Sequence, residues 1–133
     1  MRKHLIRLPW PPSKLSANGS QGDYHGKAEA ARKYKSDCVK EFWAQAVRPA
    51  DFDKAHVDVM FCPPSLHRYD LDNALKKVKQ GLDAVADAVG IDDADWLSMT
   101  LTRGDKVKGG SVLVMVSPAD NGLTEIELRG VVK

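Results

Sequence analysis

The stretch Asp70-Leu71-Asp72-Asn73-Ala74-Leu75-Lys76-Lys77-Val78-Lys79-Gln80-Gly81-Leu82-Asp83-Ala84-Val85-Ala86-Asp87-Ala88-Val89-Gly90 decides how the chain is organised. Leu71, Leu75, Val78, Leu82, Val85 and Val89 recur at steps of three and four, which predicts an amphipathic helix. It should start at Asp72 or Asn73, run to Val89 and stop at Gly90. Lys76, Lys77, Lys79, Asp83 and Asp87 cover its other faces. The apolar stripe can serve as core packing or as the seam of a helix–helix dimer.

Strand patterns flank this helix. Before it, Val57, Val59 and Phe61 predict a strand ended by Pro63-Pro64. After it, Leu97, Met99 and Leu101 alternate with Ser98, Thr100 and Thr102, the pattern of a half-buried strand. Residues 103–110 form a turn, and Val112 to Val116 is a continuous apolar run that suits a deeply buried strand. These last two strands are expected to pair as a hairpin. Upstream, Ile6, Leu8 and Trp10 alternate with Arg7 and Pro9 as a first strand, followed by a long polar loop at about 11–26. Over 27–47, Ala31, Tyr34, Cys38, Phe42 and Ala46 share a helical stripe that Val39 and Trp43 widen, and Pro49 should end that helix near Val47. Leu123 to Val132 is a candidate edge strand in the tail, about 118–133. The order β-α-β-α-β-β predicts one α+β domain over residues 1–133, a single mixed sheet with two main helices packed on it.

Composition narrows the functional classes. The 133 residues contain no apolar run long enough for a membrane span. The basic start, Met1 to Arg7, has too short an apolar stretch for a signal peptide. Cys38 and Cys62 suggest reduced, buried thiols in a cytoplasmic protein rather than a disulfide framework or a zinc site. Net charge is only +2, but it is unevenly spread: residues 1–48 hold ten basic and four acidic side chains, residues 49–95 five and ten. A basic first third beside an acidic middle suits a protein that grips a polyanion near metal ligands. A solvated basic helix would give the same pattern.

In extended backbone alternate side chains point the same way, so Asp70 and Asp72 can converge on one ion just before the helix. Lys76, four residues after Asp72, shares its face of the helix. A later acidic cluster, Asp92-Asp93-Ala94-Asp95, adds further oxygen donors. Carboxylates suit Mg²⁺, with Mn²⁺ as a substitute, and point to metal-assisted chemistry on a phosphate ester, with DNA the favoured substrate. Lys14 and Asn18 in the polar loop, with Arg68, Lys77, Lys106 and Lys108, are the candidate DNA contacts. Asn73 and Asp92 are candidate supporting residues. An aspartate before a helix is also a common N-cap, and the later cluster could be a polar loop. His4, His25, His56 and His67 share no metal-binding spacing.

Leu8-Pro9-Trp10-Pro11-Pro12-Ser13, Asp70-Leu71-Asp72-Asn73 with Lys76, Asp92-Asp93-Ala94 and Lys108-Gly109-Gly110 resemble, in order and spacing, RusA-type Holliday junction resolvases. The resemblance runs from about Leu5 to Val116 and implies a RusA-like fold. It further implies a homodimeric, Mg²⁺-dependent endonuclease, bacterial or prophage-encoded, that nicks four-way DNA junctions. The family's essential aspartates map onto Asp70, Asp72 and Asp93, and its functional lysine onto Lys76. Two features depart from the family pattern: Tyr69 where a basic residue often stands, and Lys14-Leu15-Ser16-Ala17-Asn18 where a more polar run is usual.

A straight helix from Asn73 to Val89 would be about 25 Å long. From Val89 the chain can return at most about 14 Å by Asp93. Asp93 therefore cannot reach the ion of its own chain unless the helix bends, for example at Gly81. A two-fold dimer that packs two copies of this helix antiparallel would supply Asp93 from the partner and use the apolar stripe as the seam. Two other functions use the same residues: a small-molecule metal phosphohydrolase, and a non-catalytic module that binds branched DNA.

Overall fold

The computed structural model describes residues 2–16 and 24–119. Residues 17–23 of the polar loop, Asn18 among them, and the tail from 120 onward, with its candidate edge strand, lie outside the described residues. The four strands are β1 (His4–Pro9), β2 (Ala55–Cys62), β3 (Trp96–Arg103) and β4 (Ser111–Pro118). The helices are α1 (Tyr24–Ala44), α2 (Leu71–Lys77) and α3 (Lys79–Val89), with 3-10 turns at Ser13–Leu15 and Asp93–Asp95. The architecture is α+β with one mixed sheet, ordered β1-β4-β2-β3.

The pairing of the last two strands differs from the expected hairpin. β4 lies between β1 and β2 and is antiparallel to both, whereas β3 runs parallel to β2 at the sheet edge. Burial accounts for this. Val112, Val114 and Val116 are fully buried, so β4 needs a neighbour on each side, while most of β3 is exposed. The connection from β3 to β4 crosses the end of β2 instead of turning back. Gly104 N–H donates to Phe61 O at 2.7 Å, and Val107 N–H to Pro63 O at 2.9 Å. At Gly110, φ is +73° and an added Cβ would meet Trp10 Cβ at 2.7 Å, so glycine lets this turn close against Trp10.

All three helices serve one face of the sheet. Ile6, Leu8, Val57, Val59, Phe61 and the three β4 valines meet Tyr34, Cys38 and Phe42 of α1 and Leu82, Val85 and Val89 of α3. Burying each such large side chain contributes about 1.5–3 kcal/mol. The opposite face carries Leu5, Arg7, His56, Asp58, Met60, Leu113 and Met115, none of them buried. Cys38 and Cys62 are both buried free thiols, and burial pushes the Cys38 thiol up to about 12.

Two helix expectations are corrected. Val39 and Trp43 do not widen the buried stripe of α1; they are 39% and 81% exposed beside the groove between α1 and α3. The predicted single helix after Asp70 is interrupted at Val78, where φ is −93° and ψ is 1°. Gly81 is not the bend; it sits inside α3, where a Cβ would lie 2.5 Å from Leu8 Cδ2 and 3.2 Å from Cys38 Sγ. Val78, Leu82, Val85 and Val89 are all buried in the chain's own core, and Leu71 and Leu75 pack against it. The stripe is therefore core and is not available as a dimer seam. Gly90 ends α3 in the left-handed conformation, as its position predicts.

Gly81→Ala should destabilise the protein by about 1–3 kcal/mol through overpacking, despite the better helix propensity of alanine. Chemical denaturation of the two proteins measures the difference.

Candidate active site

β1, β2 and β3 all end, and β4 begins, at one end of the sheet. The loops gathered there are 10–16, 63–70 and 104–110. This end holds Arg68 and Asp70 on the loop into α2, and Lys106 and Lys108 on the turn that crosses β2; all four are exposed. Lys14 is exposed in the 3-10 turn after Pro12. Asn73 of α2 fastens the first of these loops to the helix. Its Nδ2 donates to Ser16 Oγ at 3.1 Å, and Ser16 Oγ donates to Asn73 Oδ1 at 3.3 Å. Arg103 fixes a third element: Nη1 donates to the Tyr69 carbonyl at 2.7 Å and the guanidinium stands 4.8 Å over the Tyr69 ring. A guanidinium thus lies beside Tyr69.

Asp70 occupies the N-cap position of α2 with extended backbone, φ −88° and ψ 139°, yet its side chain makes no capping hydrogen bond. The helix end is closed by the Asp70 carbonyl, which accepts from Ala74 N–H at 3.0 Å. The Asp70 carboxylate is therefore not committed to capping. Asp72 lies in the first turn of α2 and Lys76 in its last; both are exposed, with no ion pair between them. These exposed oxygen donors fit a hard divalent cation.

The second acidic cluster divides its work. Asp92 caps the 3-10 turn by accepting from Ala94 N–H at 2.8 Å, and that bond, with the neighbouring Asp93 carboxyl, holds Asp92 below its usual value. Asp95 pairs with Lys54 and raises that lysine's pKa. Asp93 is exposed and makes no ion pair; it borders a cleft with Lys79, Leu82, Asp83, Trp96, Ser98 and Met99. The cluster precedes the start of β3, whereas Asp70 sits by the end of that strand. Eight residues of strand separate those ends, about 23 Å. Among the described residues, no three His, Cys, Asp or Glu side chains gather in one chain as a metal site.

One feature went unread in the sequence. Lys27, Lys76, Lys77 and Lys79 line a groove with Leu15, Ala28, Ala31 and Gln80, with no acidic side chain among the described lining residues; Lys79 also pairs with Asp83 at 3.8 Å. Lys27 comes from α1 and donates to the Ser16 carbonyl at 3.2 Å, so it reaches the groove only through tertiary packing. Lys79 was legible as part of the run Lys76-Lys77-Val78-Lys79, which winds past the break at Val78. Lys77 lies 5.5 Å from the centroid of the Trp10 ring, and partial burial lowers its pKa. His67 stays in the loop, hydrogen-bonded to Ser65 at 3.1 Å.

No family model matches the chain. It is 30% identical over 128 residues to an uncharacterized protein of Xylella fastidiosa strain Temecula1, an alignment covering 94% of this chain and 80% of that one. The chain belongs to one family with that protein. It is also 26% identical over 127 residues to the crossover junction endodeoxyribonuclease rusA of Enterobacteria phage HK97, covering 91% of this chain and 99% of the phage protein. That distant homologue supports a RusA-like affiliation. Among the described residues, no helix is long and apolar enough to cross a membrane.

Since neither Asp70 nor Asp72 is a capping side chain, Asp70→Asn and Asp72→Asn should each change unfolding free energy by less than about 0.5 kcal/mol. Asp92 behaves differently. Its carboxyl is depressed in the folded state, so its contribution is complete above about pH 4 and is lost as pH falls through its lower folded value. Asp92→Asn should flatten that acid limb in urea melts from pH 5 to pH 2.

Proposed function

We propose that this protein is a Mg²⁺-dependent, structure-selective endodeoxyribonuclease that resolves four-way DNA junctions by paired nicks, in recombination and repair. The observation that carries the reading is the uncommitted pair Asp70 and Asp72 beside a four-lysine groove. The full-length likeness to a phage protein named as a crossover junction endodeoxyribonuclease supports the same reading.

Asp70 and Asp72 would hold the cation, with Asp93 as the third carboxylate. The cation supplies Lewis-acid stabilisation of the phosphate and acidifies water. Lys76 projects from the same helix as Asp72 and places positive charge where charge develops on the phosphate. Lys27, Lys77 and Lys79, with Arg68, Lys106 and Lys108, grip the flanking backbone electrostatically. Asn73 keeps the loop bearing Lys14 docked against α2. The opposed placement of Asp70 and Asp93 along β3 favours a homodimer whose two sites each draw Asp93 from the partner. Two related sites suit a junction that needs two symmetric nicks.

A synthetic four-way junction, incubated with and without Mg²⁺, tests the reading. Cutting should require the metal. Asp70→Asn should reduce it by more than about 100-fold, since even outer-shell changes cost up to that much. Junction binding should persist, and weaken steeply with salt. Lys76→Met should slow cutting more than it weakens binding. Metal-dependent hydrolysis of a small phosphodiester with no action on junctions would replace this reading with a phosphohydrolase.

Mixing Asp70→Asn with Asp93→Asn subunits should restore nicking, because each heterodimer contains one intact composite site. No recovery after verified subunit exchange would require both carboxylates to serve the same chain.

A further inference from the structure

The loop from Pro63 to Asp70 holds an apolar side chain out in solvent. Leu66 is 82% exposed at its tip, and Val107, on the neighbouring turn 104–110, is 42% exposed. Single exposed apolar residues are ordinary, but this loop is braced around one. Pro63 is buried, and its carbonyl accepts the Val107 N–H, which ties the two segments together. Pro64 has a fixed φ and sits against Gly110, where an added Cβ would meet Pro64 Cδ at 2.9 Å. Ser65 and His67 are hydrogen-bonded to each other, the His67 and Tyr69 rings lie 6.2 Å apart, and the Tyr69 carbonyl is held by Arg103. The side chains on either side of Leu66 thus have partners within the fold, while Leu66 projects from it. Arg68, Lys106 and Lys108 are exposed on the same two segments, whose only carboxylates are Asp70 and Asp105. Proteins that open a base step use this combination: an apolar side chain enters the stack while cations hold the phosphates beside it.

We propose that Leu66, assisted by Val107, is a wedge that enters the base stack at the branch point of a DNA junction, with Arg68, Lys106 and Lys108 holding the flanking phosphates. The choice of DNA rests on the function proposed above; the wedge adds how a branch is told from plain duplex. Opening a base step costs stacking energy, and the cost is least where regular pairing is already disturbed. A branch point is such a place, because strands change partners there and the regular stack is interrupted. Plain duplex offers the cations the same phosphates but resists the wedge, so phosphate contacts alone give no preference and Leu66 supplies one. The braced loop has little conformational freedom left to lose on insertion. Leu66 precedes Asp70 by four residues, which keeps it within about 14 Å of the Asp70 backbone. At about 3.4 Å per step along a strand this is about four nucleotides, so one bound branch can meet both the wedge and the carboxylates. A lipid surface also accepts apolar tips among cations, but it draws its affinity from a broad apolar face, which two side chains do not make.

A synthetic four-way junction with 2-aminopurine beside the branch point, and a second with the probe in mid-arm, read the insertion; EDTA keeps the metal-dependent reaction off. The native chain should raise fluorescence at the branch by about twofold or more and leave the mid-arm probe unchanged. Leu66→Ser should lose most of that rise and Leu66→Phe should restore it. Both variants should bind plain duplex within about threefold of the native chain, because phosphate contacts set that affinity. Leu66 is exposed, so both should keep the native circular dichroism spectrum and melting temperature. A rise that survives in Leu66→Ser, or no rise with the native chain at saturating concentration, would overturn the wedge. Leu66-dependent sedimentation with phosphatidylglycerol vesicles and no branch signal would also overturn it and assign the tips to lipid. Repeating the incubation in Mg²⁺ separates the two readings. Branch opening through Leu66 with no cutting would keep the wedge and remove the nuclease. Cutting by a chain whose Leu66→Ser variant opens the branch unchanged would do the reverse.

Discussion

The parallel pairing of β2 with β3 is the constraint on which the remaining arrangement depends. Parallel neighbours require the chain to travel back along the sheet before the second strand can begin. Here α2 and α3 make that return, and their apolar stripe fills the core above the sheet. The return also separates the two acidic segments, because one precedes the helices and the other follows them. Asp70 is left at one end of β3 and Asp93 at the other. A chain with a simple hairpin in place of this crossover would have no reason to place its carboxylates so.

Much of the polar chemistry near these segments is structural, which isolates the groups that are not. Asp92 closes a 3-10 turn, Asp95 neutralises Lys54, Asn73 joins a loop to α2 and Gln45 bonds the backbone of an edge strand. Asp70, Asp72 and Asp93 stay exposed without a capping bond or ion pair. Four lysines line a groove beside the first pair, with no acidic side chain among its described lining residues, and Lys79 also pairs with Asp83. Like charges crowded in one groove repel, so the arrangement costs the fold some stability and suits a polyanion.

The strands and helices were legible because their apolar periods are strong. The stripe on α3 and the alternation on β2 identify themselves in the chain. Their partners were less legible. The strand at 96–103 and the strand at 111–118 are adjacent in sequence and separated by a turn, so local reasoning pairs them; the burial of Val112, Val114 and Val116, with a strand paired on each side of β4, overrides that preference. The break at Val78 leaves no signature, since Val78 fits the helical stripe and is buried in the core. Trp43 shows the converse: it fits the apolar stripe of α1 yet stands exposed, because none of the described residues covers that side of the groove.

What the sequence determined by itself is most of the set of elements and which side chains are candidates for the chemistry, because both are read over spans of a few residues. Only the tertiary structure decided which carboxylates are already committed, that Lys27 of α1 joins the lysines of α2 and α3, and that Asp70 and Asp93 face opposite ends of one strand. Those relations join residues tens of positions apart, and they follow from which strand is central, a matter of pairing β4 on both of its sides that no local pattern records.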